Sequence, residues 1–136
     1  MPKQIALSQN DPARAAARAS VRIDDDSQRT AVAAARAALE KKAENLVILD
    51  LRGISGYADF LVIGSGTSDR QLEAIADSVD KELSAQGHRV IGSEGQRGGR
   101  WVLLDFGDVV VHVFHQDERA YYDLEGLWAD APRVAV

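Results

Sequence analysis

The chain has no cysteine among its 136 residues, which excludes disulfides and thiolate metal sites outright. It also lacks any apolar run near the roughly 20 residues that a membrane-crossing helix requires. Residues 1–28 have no apolar core of the kind a secretory signal needs. A cytoplasmic protein without a membrane partner is expected. Nor is there any excess of base. Lys and Arg total 16 against 21 Asp and Glu, a net charge of −5. Binding nucleic acid by general phosphate neutralisation needs clustered Lys and Arg, so the acidic balance argues against it. A basic partner suits it better.

What is present fits one soluble domain. The hydrophobic fraction of 46% and charged fraction of 27% are ordinary, and the length allows one real core rather than two. Residues 1–28, with the run DPARAAARASVRIDDDS, hold as much acid as base and few large apolar side chains. They bury too little to offset ordering entropy and read as a disordered N-terminal extension. Asp11 and Asp24 to Asp26 argue against a transit peptide, which avoids acid. The folded domain is expected over 29–136.

Hydrophobic spacing predicts the elements. Val32, Ala35, Leu39, Ala43 and Leu46 recur as one helix face. LVILDL (46–51) and FLVIGS (60–65) are continuous apolar runs, as in strands covered on both sides. Ser68 with Gln71 has capping-box spacing and opens a helix buried through Leu72, Ile75, Ala76, Val79 and Leu83, with Gly87 as its stop. A short strand is expected at 88–91, a loop at 92–100 and a hairpin across 101–115. Asp117 is placed as the cap of a last helix. The class is α/β: a mixed sheet of about five strands flanked by helices.

The hairpin WVLLDFGDVVVHVFH raises a packing problem. Successive strand residues point to opposite faces, so Trp101, Leu103 and Asp105 share one face, and Val102, Leu104 and Phe106 the other. Both faces are largely apolar, although an antiparallel hairpin usually keeps one face wet. Something covers the second face: a neighbouring element, another protein, or both. Trp101 reads either as a core aromatic whose N–H is satisfied locally or as an exposed anchor.

Catalytic patterns are weak. The turn Gly64–Ser68 leads from strand to helix and offers backbone N–H groups to a phosphate, but Asp69 stands at the third glycine position of a dinucleotide fingerprint. Gly64-Ser65 also matches the start of a nucleotidyltransferase signature, whose carboxylates here have only Asp77 and Asp80 as candidates. Three apart on a helix, these read as solvated charges. His112 and His115, three apart on a strand, point to opposite faces and cannot share one metal ion. No cofactor is expected.

Read together, GSGTSDRQ (64–71), IAD (75–77), EG (94–95), WVLLDFGDVVVHVF (101–114) and YYDLEGLW (121–128) resemble the ribosomal silencing factor, or Iojap-related, family. The resemblance runs from about residue 29 to 130. It implies a non-enzymatic protein with a nucleotidyltransferase-like core lacking the catalytic carboxylates. It also implies binding to the large ribosomal subunit through large-subunit ribosomal protein fourteen, with a minor contact to ribosomal RNA. Joining of the small subunit is then blocked sterically when nutrients are scarce. A homodimer is implied for the free protein. Carried onto this chain, Trp101, Leu104, Phe106 and Phe114 are the expected apolar anchors, with Glu94, Asp105 and His112 as polar partners. The rival reading is a nucleotide-binding or nucleotidyltransferase enzyme using the Gly64–Ser68 turn.

Overall fold

The computed structural model describes residues 26–95 and 100–136. Helix α1 (Asp26–Glu40) leads into β1 (Glu44–Asp50), β2 (Phe60–Gly66) and helix α2 (Asp69–Ala85). Then come β3 (Gly92–Glu94), β4 (Trp101–Asp105), β5 (Val109–His115), short helices α3 (Gln116–Tyr122) and α4 (Leu124–Leu127), and β6 (Arg133–Val134). The sheet order is β3-β4-β5-β2-β1-β6. Only the β2–β5 pair is parallel; the others are antiparallel, so the sheet is mixed as expected. Among the described residues it has six strands rather than five, because the two-residue β6 adds to the β1 edge.

Both long helices lie on one sheet face. Their apolar sides close over Ile48, Phe60, Val62, Val102, Leu104, Val109, Val111 and Val113. In α1 the buried positions are Thr30, Ala31, Ala34, Ala35, Ala37 and Ala38. Small side chains there let α1 approach α2 closely enough for the Ser78 hydroxyl to donate to the Ala37 carbonyl at 2.9 Å. The expected face is corrected accordingly: Leu39 is 45% exposed, and Ala43 and Leu46 lie beyond the helix, which stops at Glu40. Lys42 takes a left-handed φ of 65° and the Ala43 N–H donates back to the Ala38 carbonyl, a C-terminal closure that uncouples later residues from the helical period.

The second helix follows its sequence signals. Ser68 accepts from the Gln71 N–H at 3.1 Å, while the Gln71 side chain accepts from the Thr67 N–H and donates to the Lys41 and Lys42 carbonyls. Gln71 thus caps the start of α2 and the end of α1 together. The expected face of Leu72, Ile75, Ala76, Val79 and Leu83 is buried. Past Gly87, the strand expected at 88–91 moves to 92–94. Its place is set by pairing with β4 rather than by apolarity: Gly92, Ser93 and Glu94 align with Asp105, Leu104 and Leu103, and Ile91 stays 73% exposed.

Residues 26–28, assigned to the extension, begin α1; the rest of the disorder expected for 1–28 concerns residues outside those described. The last helix is capped by His115, whose side chain accepts from the Asp117 N–H, not by Asp117 itself. Asp123 caps the short helix that follows, accepting from the Gly126 N–H.

The second sheet face answers the hairpin problem only in part. Leu124, Trp128 and Ala131 from the C-terminal segment, with Leu51, Ile54 and Ala58 from the β1–β2 connection, pack over Leu49, Leu61, Ile63, Val110 and Phe114. Towards the β4 side that cover ends.

Candidate partner-binding site

The hairpin turns at Phe106–Asp108. The Phe106 N–H donates to the Val109 carbonyl, and the Asp105 carboxylate accepts from the Gly107 N–H at 2.8 Å. That tight turn fixes the register, with Trp101 opposite Phe114, Leu103 opposite His112 and Asp105 opposite Val110. Opposed residues of antiparallel strands share a face, and β3 extends the row by setting Glu94 opposite Leu103. Glu94, Trp101, Asp105, His112 and Phe114 therefore stand together on the second face.

Leu104 and Phe106 do not join them. Leu104 is 1% exposed beneath the helices, and Phe106 packs against the same helical core. The correction follows from strand parity: each is an odd number of residues from Trp101. Phe114 shares the Trp101 face but lies buried, with its ring stacked under the indole at 4.9 Å. It supports the surface rather than forming it.

The exposed part is an aromatic ledge. Trp101 is half-buried between Phe114 and Tyr122, the latter at 4.8 Å, and Tyr121 packs edge-on against Tyr122. Trp101 lies between a core aromatic and an exposed one: its Nε1–H is satisfied internally, donating to His112 Nδ1 at 3.0 Å, while part of its face is open. His112 is buried, and burial pushes its pKa down to about 4. The neutral ring keeps the Nδ1 lone pair that Trp101 needs. Its proton then sits on Nε2, the one buried side-chain polar atom among the described residues with no partner.

Beside the ledge lies a groove of about 530 Å³, walled by Tyr57, Leu61, Trp101, Leu103, Leu127 and Trp128, with His112 also lining it. Tyr57 marks the rim, where burial and the nearby Asp105 charge raise the pKa of its hydroxyl. Tyr57 comes from the β1–β2 connection and Leu127 and Trp128 from the C-terminal segment, where no local pattern marks them as site residues. Leu103 was in plain view, since it alternates in phase with Trp101.

The Gly64–Ser68 turn is built for packing. A Cβ on Gly64 would meet Leu46 Cδ1 at 2.9 Å, and one on Gly66 would meet Leu72 Cδ1 at 2.7 Å. A side chain at either position would have to push the end of a packed leucine aside. The Ser65 hydroxyl is 1% exposed and accepts from Arg119 Nη1 at 2.8 Å. Arg119 also donates to the Glu44 carbonyl and, through Nε and Nη2, to both oxygens of Glu125. Those hydrogen bonds hold the Glu125 carboxyl below its usual pKa. Asp77 and Asp80 sit on α2, across the sheet from this network, and Asp80 accepts from Ser84. Ser65→Ala would strip a buried guanidinium of one acceptor, so a loss of about 1–3 kcal/mol in unfolding free energy is expected by denaturant titration.

The chain is similar to known proteins over most of its length. A family model described as "Ribosomal silencing factor during starvation" matches residues 24–136. The ribosomal silencing factor RsfS of Halalkalibacterium halodurans is 55% identical over 95 residues, covering 70% of this chain and 81% of that protein. RsfS of Bacillus subtilis is 52% identical over 99 residues, covering 73% and 84%. A crystal structure of a Chromobacterium violaceum protein superposes with a TM-score of 0.73 at 38% identity, covering 75% of this chain and 85% of that one.

Proposed function

Because the chain belongs to the ribosomal silencing factor family, we propose that it is a translational repressor that binds the large ribosomal subunit and sterically blocks joining of the small one. Its contact is large-subunit ribosomal protein fourteen, and its working condition is nutrient limitation. The observation that carries this reading is a half-open aromatic ledge, Trp101 with Tyr121 and Tyr122, bordered by Glu94 and Asp105 on the same sheet face. Ribosomal proteins are basic, so an acidic border steers them towards the ledge, and the apolar contact then holds them.

Nothing in this mechanism calls for bond chemistry. The protein needs a rigid surface of fixed shape, and the sheet supplies one: Trp101 is positioned by stacking on Phe114 and by its hydrogen bond to His112. Steric exclusion needs only that the bound domain occupy the space where the small subunit would sit.

The test is co-sedimentation of the purified protein with separated subunits, adding small subunits second. Selective pelleting with large subunits and a smaller fraction of joined ribosomes is the expected result. Absence of binding to large subunits sinks the reading. In parallel, nucleotide with magnesium is expected to leave the melting temperature unchanged; a rise would show a ligand site that binds the native state.

A further inference from the structure

The groove beside Trp101 is more specific than an apolar patch. Its described lining includes no Lys or Arg, so nothing there neutralises a phosphate or carboxylate. The Ser55 hydroxyl is already committed to the Tyr57 N–H at 3.0 Å. The polar character is all at one side: Glu94 follows Leu103 across the β3–β4 ladder, and Asp105 lies close enough to influence Tyr57. An apolar slot with an acidic border on one side matches an apolar side chain flanked by cations.

The acidic border narrows the choice further. A polypeptide can carry Lys or Arg beside an apolar side chain, whereas a hydrocarbon ligand brings no charge to meet Glu94 and Asp105. We infer that the groove is a socket for one large apolar side chain of a basic polypeptide segment, seated against Trp101, Leu103 and Leu127, with its flanking cations at Glu94 and Asp105. The inference rests on the ribosomal reading for the source of that segment, a basic protein of the large subunit.

Gly56 provides the test. It lines the groove, and a Cβ added there meets nothing within 4 Å. Gly56→Phe is therefore expected to fill the socket without disturbing the core and to leave the melting temperature unchanged. Affinity for large subunits should fall by about tenfold or more, the scale of a blocked anchor. Leu127→Glu, at a half-exposed position on the opposite wall, should do the same by placing a charge in the slot. Asp105→Asn keeps an oxygen for the Gly107 N–H but removes the charge, so binding should weaken several-fold and lose part of its salt dependence.

The outcomes separate. Wild-type binding by Gly56→Phe and Leu127→Glu, with Trp101→Ala defective, overturns the socket and leaves the repressor reading standing. Failure of the unmodified protein to bind large subunits overturns both. Self-association that Gly56→Phe abolishes, with subunit binding unchanged, would assign the socket to a second copy of this chain and overturn the proposal.

Discussion

Trp101→Ala is expected to abolish measurable association with the large subunit while leaving a folded protein. The indole is the element shared by the aromatic ledge and the groove wall, and tryptophans at such positions dominate binding energies. Truncating one commonly costs 2 kcal/mol or more, about a 30-fold loss of affinity. The substitution also has a cost in stability. The ring stacks on Phe114 and Tyr122, and its N–H occupies His112 Nδ1. A half-buried site relaxes into solvent more easily than a core site, so the destabilisation should stay below the roughly 3–5 kcal/mol typical of a fully buried tryptophan.

A second variant keeps the two effects apart. Val102 is the next residue, 0% exposed on the opposite face beneath the helices. Val102→Ala should destabilise the domain without touching the ledge. Equilibrium unfolding and subunit co-sedimentation on both variants give a clear contrast: Val102→Ala loses stability and keeps binding, whereas Trp101→Ala loses far more binding than its stability change explains. Equal losses of binding in the two would place Trp101 in the core and remove it from the contact surface.

Strand parity made most of this face legible before any coordinates. Continuous apolar runs mark β1 and β2, and the alternation Trp101, Leu103, Asp105 groups the indole with an acidic neighbour. The same rule puts Leu104 and Phe106 on the other side, against the anchor role that the family resemblance implies for them. Other features lay beyond local pattern. The face of α1 is set by how closely alanines let it approach α2, a tertiary fact that favours Ala34 and Ala38 over the larger Leu39. β3 exists because β4 offers it an edge, so no apolar run announces it. The groove joins the β1–β2 connection, the hairpin and the C-terminal segment, three stretches far apart in sequence.

His112 should make the stability of the domain fall as pH drops from about 6.5 to about 4. In the unfolded chain this imidazole takes up a proton near its ordinary pKa of 6.5, whereas burial holds the folded value at about 4. Between those values the unfolded state binds the extra proton, so the native state loses ground as pH falls. Stability from this source is fully present above 6.5 and gone below 4. Two and a half pKa units correspond to about 3 kcal/mol over the window. The groups packed around the ring do not titrate there: Leu103, Ile63, Phe114 and Trp101 carry no ionisable proton in this range, and the pKa of Tyr57 on the groove rim is raised further from it.

Carboxylates titrate at the acid end of the same range, so the informative quantity is a difference. His112→Gln offers an oxygen to the Trp101 N–H without a titrating ring. Subtracting its unfolding free energy from that of the unmodified protein, across pH 4 to 7, should leave a slope attributable to residue 112. A flat difference would show that the native ring protonates as easily as the unfolded one. The ledge feels the same event. A proton on Nδ1 turns the acceptor of the Trp101 N–H into a second donor, which breaks the bond at 3.0 Å that holds the indole in place. Subunit binding should therefore weaken on acidification in step with the protonation of His112, and the weakening should be smaller in His112→Gln.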